Sequence, residues 1–340
     1  MKKQLLLCFA CMLLLAVTQL AAQKATLVYV EGVAHIQNSS GARREADFGG
    51  SLTYGESVIT GRDGLAELRL ENGSTIRVAQ NTVFNYSSVG TGSSARPVLA
   101  TTAGSVTYKL ARSTGQGPVI QTNSAVAGVR GTEFTVFAGR DGAVMLAVIE
   151  GVVDIEAQGE TVTLYANEAV DVEPGKAPGE KIVWLGKELD FSSWNTGRMD
   201  EFFADPVAGI KAVNSRLNVF YRELEALKPD YDQATAEWRA ISAGYRDLLS
   251  AEDQDAIKRY QEEKLFPIQD RRSALILNIR YWALNYLGMR RYCLSNMYME
   301  LKSRYPLNRP PEVTEFFDLH TAILAEYERL IVPELNENDY

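Results

Sequence analysis

Two periods of hydrophobicity divide this chain. In the first half Ala66, Leu68 and Leu70 alternate with Glu67, Arg69 and Glu71, the two-residue repeat of a strand with one face inward and one in water. Residues 144–149 (VMLAVI) are apolar at both parities, which predicts a central strand covered on both faces. Short Val-, Thr- and Phe-rich segments are separated by glycine turns. Two of these turns read Gly-Arg-Asp-Gly, at 61–64 and 139–142; the following strand ends at Asn72-Gly73 in one case and Glu150-Gly151 in the other. Such a repeat predicts either a duplicated β unit or one good turn used twice. Residues 89–94 (VGTGSS) read as an exposed insertion. Sandwich, barrel and short solenoid packings all satisfy the pattern.

Beyond residue 204 the period lengthens. Asp205-Pro206 is a cap and first-turn pair, and Ile210, Val213, Leu217, Phe220, Leu224 and Leu227 recur three and four apart along one helical seam. Lys228-Pro229 is expected to end that helix. Tyr231, Ala234, Trp238, Ile241, Tyr245 and Leu248 repeat the spacing, predicting a second helix folded back seam to seam. Ser250 with Asp253 resembles a capping box for the next helix, which Pro267 should interrupt, and further helical segments span about 268–305 and 312–331. Of 26 glycines, 22 lie at or before Gly186, which marks the change of grammar. The predicted organisation is a leader at 1–22, a β domain of many short strands at 23–186, a linker at 187–204 and an all-α helical bundle at 205–335.

The first 22 residues have the basic start (Lys2, Lys3), short apolar middle and small-residue end of a secretory signal, with cleavage expected near Ala22. An uncleaved anchor is the competing reading, and lipidation at Cys8 or Cys11 a weaker third. The most apolar later run, 274–287, carries Asn278, Arg280 and Asn285, so no membrane span is expected after signal removal. Cleavage leaves Cys293 alone, so an internal disulfide is impossible. It also changes the formal charge from -8 to 33 minus 43, or -10, which disfavours nucleic acid and anionic lipid as partners.

Candidate chemistry is sparse. Arg130, Thr132 and Glu133 beside Phe134 offer a fork and a carboxylate at a glycine turn, but residues in that setting more often satisfy backbone groups or each other. His35, His320 and Cys293 have none of the spacings of metal or thiol sites, and GxSxG is absent, so no cofactor or metal is expected. Acidic residues are plentiful without an outstanding pair. Tyr281, Trp282, Tyr286 and Tyr292 either belong to a helical core, the commoner use of such spacing, or line a groove for a glycan or peptide.

Several pieces in order resemble the FecR-type domain: residues 55–60, Asn72-Gly73-Ser74 with Ile76 and Val78, 103–106, 119–122, 129–134 and 148–153, together spanning about 27–172. The resemblance makes Gly55, Thr60, Gly73, Arg130, Gly131, Thr132, Glu133, Phe134, Glu150 and Gly151 family-motif positions, read here as architecture. In the regulator that names the family, a cytoplasmic anti-sigma segment precedes a membrane helix, and a periplasmic part receives a signal from an outer-membrane transporter. Here only residues 1–4 precede the apolar segment, so neither sigma-factor control by this chain nor a link to iron is expected. The expectation is an exported, periplasmic or envelope-associated, non-enzymatic scaffold that binds another envelope protein. A glycan- or peptidoglycan-binding protein is the alternative, and an enzyme acting on envelope polysaccharide the third.

Overall fold

The computed structural model describes residues 24–38, 41–89, 96–112, 117–129, 131–184, 191–249 and 253–336. The leader, the tip of the 89–94 insertion, Arg130 and Ser250 lie outside the described residues. The strands are β1 (Ala25–Glu31), β2 (Ala34–Gln37), β3 (Arg43–Glu45), β4 (Ser51–Leu52), β5 (Glu56–Thr60), β6 (Leu65–Leu70), β7 (Thr75–Val78), β8 (Val83–Val89) and β9 (Arg96–Lys109), followed by β10 (Val119–Thr122), β11 (Val126–Val129), β12 (Glu133–Ala138), β13 (Val144–Glu150), β14 (Val152–Ala157), β15 (Glu160–Tyr165), β16 (Glu168–Val172) and β17 (Lys181–Val183).

These strands form two sheets. One runs β4-β1-β6-β7-β9-β12-β13-β16-β17, all antiparallel. The other runs β3-β2-β5-β8-β9-β10-β11-β14-β15, antiparallel except for the parallel β9–β10 pair. Of the three packings the sequence allowed, the protein adopts the sandwich. Leu27, Leu68, Ile76 and Phe134 from the first sheet share one core with Ile36, Val58, Phe84 and Ile155 from the second. β9 belongs to both sheets: Ala103 pairs with Val83 in the second, and Gly104, at φ +82, with Ala138 in the first. A Cβ at Gly104 would collide with Thr82, so only glycine fits where the strand changes sheets.

The strand patterns hold in detail. In β6, Ala66, Leu68 and Leu70 are buried while Glu67 and Arg69 face outward. In β13, Val144 through Val148 are buried and Ile149 is exposed. The two Gly-Arg-Asp-Gly turns are locally alike, each closed by an N–H···O bond of 3.1 Å (Gly64 to Gly61, Gly142 to Gly139). Their places differ, however: the first joins β5 to β6 across the two sheets, whereas the second closes the β12–β13 hairpin within one. One turn chemistry therefore serves two topologies.

The helices are α1 (Phe191–Ala204), α2 (Pro206–Leu249), α3 (Gln254–Tyr260), α4 (Phe266–Met289), α5 (Ser295–Arg304), α6 (Pro311–Leu330) and α7 (Val332–Asn336). Most of the stretch expected to be a linker, 187–204, is α1. The Asp205 cap forms as expected, its carboxylate accepting from the Ala208 N–H at 2.9 Å. For the third helix the cap is Asp253 itself, which accepts from the N–H groups of Asp255 and Ala256.

Two proline expectations are corrected. α2 continues through Pro229, so no hairpin forms there. A helix-interior proline costs about 3 kcal/mol, but the seam beyond it finds partners in the following helices. Arg272 lies 4.7 Å from the Trp238 ring, and the Tyr260 hydroxyl donates to the Ile241 carbonyl at 3.1 Å. Pro267 likewise falls inside a continuous helical run. It follows a π-helical turn, Gln261–Leu265, in which the Phe266 N–H reaches back five residues to the Gln261 carbonyl. The wider turn eases the clash between a proline ring and the preceding carbonyls. A second π turn, Arg290–Leu294, links α4 to α5, with the Ser295 N–H bonded to the Arg290 carbonyl. The helical core gathers Phe202, Ile210, Leu217, Phe220, Met289 and Phe316.

Candidate functional site

Of the family-motif positions, Gly131, Thr132, Glu133, Glu150 and Gly151 meet at the entrance of the β12–β13 pair, whereas Gly55 and Thr60 lie at the two ends of β5 in the other sheet. Gly73 and Gly151 occupy turns at φ +83 and +92, and Gly55 stands before β5 at φ +91 with open space on its Cβ side. The buried Thr60 hydroxyl donates to the Ala79 carbonyl and accepts from the Thr82 N–H at 2.9 Å, clamping two turns together. Phe134 is fully buried and stacked on Tyr108, with ring centroids 5.1 Å apart. Glu133 forms an ion pair of 2.9 Å with Lys109 and lies across the strands from the exposed Glu150. Gly131 takes φ +61 against the Arg112 side chain. Thr132 packs its methyl against Gly151, and its buried hydroxyl has no partner among the described residues. Of the described motif positions, Gly55 alone lines the cleft of about 570 Å³ between the second sheet and the helices.

The polar chemistry gathers instead where the helices meet the sandwich. The end of β10 and the turn after it carry Gln121, Thr122, Asn123 and Ser124, all buried. Thr122 bonds Ala125 three times, twice through its hydroxyl and once through its N–H, which fixes the turn, and Ser124 donates to the Gly142 carbonyl at 2.7 Å. From the helical side, Arg216 Nε donates to the Asn123 carbonyl at 2.7 Å, and Tyr281 donates its hydroxyl to Gln121 Oε1 at 2.7 Å. Asn123 Nδ2 bonds both the Thr102 carbonyl and, at 3.2 Å, Cys293 Sγ. Burial brings the Arg216 guanidinium down to about 10 and pushes the Cys293 thiol up. Arg216 also lies 4.7 Å from the Phe220 ring.

The second Gly-Arg-Asp-Gly turn completes this joint. Asp141, 8% exposed, pairs with Arg198 of α1 at 2.8 Å and holds the Ala143 N–H at 3.1 Å. Arg140 reaches Glu300 at 2.9 Å, and its N–H donates to Asn195. Trp194 donates its indole N–H to Asp171 at 3.1 Å; burial raises the pKa of that carboxyl despite the indole and Arg198.

Beside the joint a cleft of about 570 Å³ opens between the outer face of the second sheet and the helices. Its sheet side presents Gln37, Glu56, Ser57 and Asn85, and its helical side Tyr281, Asn285, Arg290, Arg291, Tyr292 and Tyr327. The aromatic group predicted from the sequence is thus divided. Tyr281 and Tyr292 line the cleft, Trp282 packs near Phe220, and Tyr286 stacks with Tyr327. Sequence reasoning missed Arg290 and Arg291 because their setting depends on helices docking onto strands some 200 residues away. Among the described residues no group of three or more His, Cys, Asp or Glu side chains is placed to hold a metal, and no helix is long and apolar enough to cross a membrane.

Residues 56–154 match the model of the FecR protein family. The β region carries a FecR-type domain. The match runs from β5 into β14, shorter at both ends than the resemblance spelled out in the sequence, and leaves the helices unassigned. No curated protein matches the chain. Two crystal structures of a candidate anti-sigma factor from Parabacteroides distasonis are similar at 20% and 19% identity, with TM-scores of 0.33 and 0.32. Each similarity covers 37% of this chain and 59% of that protein. A structure named "Cell surface anchoring domain" is similar at 20% identity and a TM-score of 0.17, over 18% of this chain and 80% of the other. At such TM-scores nothing of those proteins' roles transfers to the FecR-type domain here.

Proposed function

We propose that this protein is an exported envelope component in which the FecR-type domain and its helical region act as one non-catalytic protein-binding or signalling scaffold. The observation that carries the reading is the joint. Helices fused to the FecR-type domain are held on it by buried hydrogen bonds and a buried ion pair, so a partner meets a composite surface. Export rests on the basic, apolar and small-residue sequence of the first 22 residues. Hydrolysis of polysaccharide by paired carboxylates finds little support in the cleft. Glu56 is the one acidic residue lining it among the described residues, and that carboxylate is already bonded to Arg44 at 2.7 Å and to the Thr53 N–H at 2.8 Å.

A photocrosslinking residue placed at the exposed Phe48 of the β domain, and another at the exposed Leu307 of the helical region, tests the scaffold in living cells. A defined adduct with an envelope protein from either position is the expected result, together with recovery of the chain from the envelope fraction. Recovery of uncrosslinked monomer alone from both positions refutes it.

A further inference from the structure

The cleft carries a second inference, independent of the scaffold reading. We infer that it binds a carboxylate-bearing oligosaccharide, with Arg290 and Arg291 receiving the acid. Three observations point to this ligand class.

The first is charge. On a chain of net charge -8, this cleft is lined by two arginines that make no ion pair among the described residues. The charge of Glu56 is answered by Arg44. Glu326 and Glu328 lie near the Tyr286 and Tyr327 rings, but neither lines the cleft. Arg290 is held 4.5 Å from the Tyr327 ring, and its buried Nε donates to nothing among the described residues. Arg291 is exposed at the rim. A guanidinium held against a ring next to an exposed one suits a carboxylate, which accepts from both.

The second is the floor. β5 is paired with β2 and β8, and β8 with β5 and β9, so the sheet strands beneath the cleft offer no free backbone edge. A peptide strand has nothing to add to here, and recognition falls to side chains. The third is the kind of side chain present. Asn85 is already bonded to Ser57 and Thr102, but Tyr292, together with Gln37 and Asn285 beyond their bonds to Arg43 and to the Tyr281 carbonyl, can both give and accept hydrogen bonds, the chemistry that reads sugar hydroxyls. A volume of about 570 Å³ falls within the usual range for a small-ligand site, roughly 300–1,000 Å³.

Calorimetric titration of the purified chain with trigalacturonic acid, against galactotriose and a hexaglutamate peptide, tests the inference. The expected result is binding of trigalacturonate with neither control bound, weakened about tenfold or more in Arg291→Gln. Arg291 is exposed, so its variant should keep the wild-type unfolding midpoint and leave folding out of the comparison. Arg290→Gln should lose binding as well. Equal binding of the neutral sugar, binding of the peptide in place of the sugar, indifference to Arg291→Gln, or absence of binding each overturns it. None of these outcomes bears on the crosslinking result.

Discussion

Removing Arg198 should cost far more than neutralising its partner Asp141, and the difference follows from what each leaves behind. Asp141 is 8% exposed, and its other described contact is the Ala143 N–H at 3.1 Å. Arg198→Gln therefore strands a buried carboxylate with one neutral donor. Breaking a buried pair in this way costs about 3–5 kcal/mol; because Arg198 itself reaches solvent at 14% exposure, the lower end, about 3 kcal/mol, is expected here. In Asp141→Asn the amide still accepts from Ala143, and Arg198 keeps Glu201 at 2.8 Å and Glu173 at 3.5 Å. That loss should be about 1 kcal/mol. Urea unfolding of the two single variants and the double variant closes the cycle, with a coupling energy of about 1–2 kcal/mol expected. Equal losses, or simple additivity, would refute the claim that this pair fastens α1 to the sandwich.

Three other outcomes follow from the structure. Pro229→Ala should stabilise the protein, by up to about 3 kcal/mol in urea unfolding, because α2 already runs unbroken through that position; destabilisation would show that the proline sets the path of the helix. Gly151→Ala should cost more than Gly73→Ala, since both have positive φ but a Cβ at 151 would lie 2.7 Å from Thr132 Cγ2, whereas nothing lies within 4 Å at 73. About 1–2 kcal/mol is expected at Gly73 from backbone strain alone, with denaturant midpoints as the measure. Burial raises the pKa of Asp171 above its unfolded value, so the folded state takes up a proton there more readily and this group adds stability as pH falls through its folded titration. Asp171→Asn keeps an acceptor for Trp194 and should stabilise the protein at neutral pH, the gain shrinking on acidification; a gain that grows as pH falls would contradict the assignment.

Local rules carried the reading furthest where neighbours in sequence supply the physics. The alternation in β6 and the cap at Asp205 depend on a few adjacent residues, and the protein follows them. They misled at Pro229 and Pro267, where packing along α4 and a π turn outweigh a local penalty that is real but small. The repeated Gly-Arg-Asp-Gly could not reveal that one copy crosses between sheets, because a turn specifies its own bend and not the sheet its strands will join. The joint and the cleft were the least legible. Arg216 meets Asn123 across 93 positions and Tyr281 meets Gln121 across 160, and no periodicity encodes such meetings. Even the aromatic group, visible as helical spacing, gave no sign of which rings would face the cleft.

The π turn at Arg290–Leu294 also bears on how this chain tolerates change in length. Each residue of an α-helix advances the facing direction by about 100°. Met289, Cys293, Met297 and Leu301 are all buried yet stand four apart, a spacing that in an unbroken α-helix would drift by about 40° at each step. The π turn absorbs one surplus residue and returns the later positions to the same side. A single deletion inside 290–294 should therefore leave an ordinary α-helix with Met297 and Leu301 still inward, whereas the same deletion within α4 would swing every later residue out of phase. The cleft arginines therefore sit on a stretch of this long helical run where its length can be edited without unpacking the bundle.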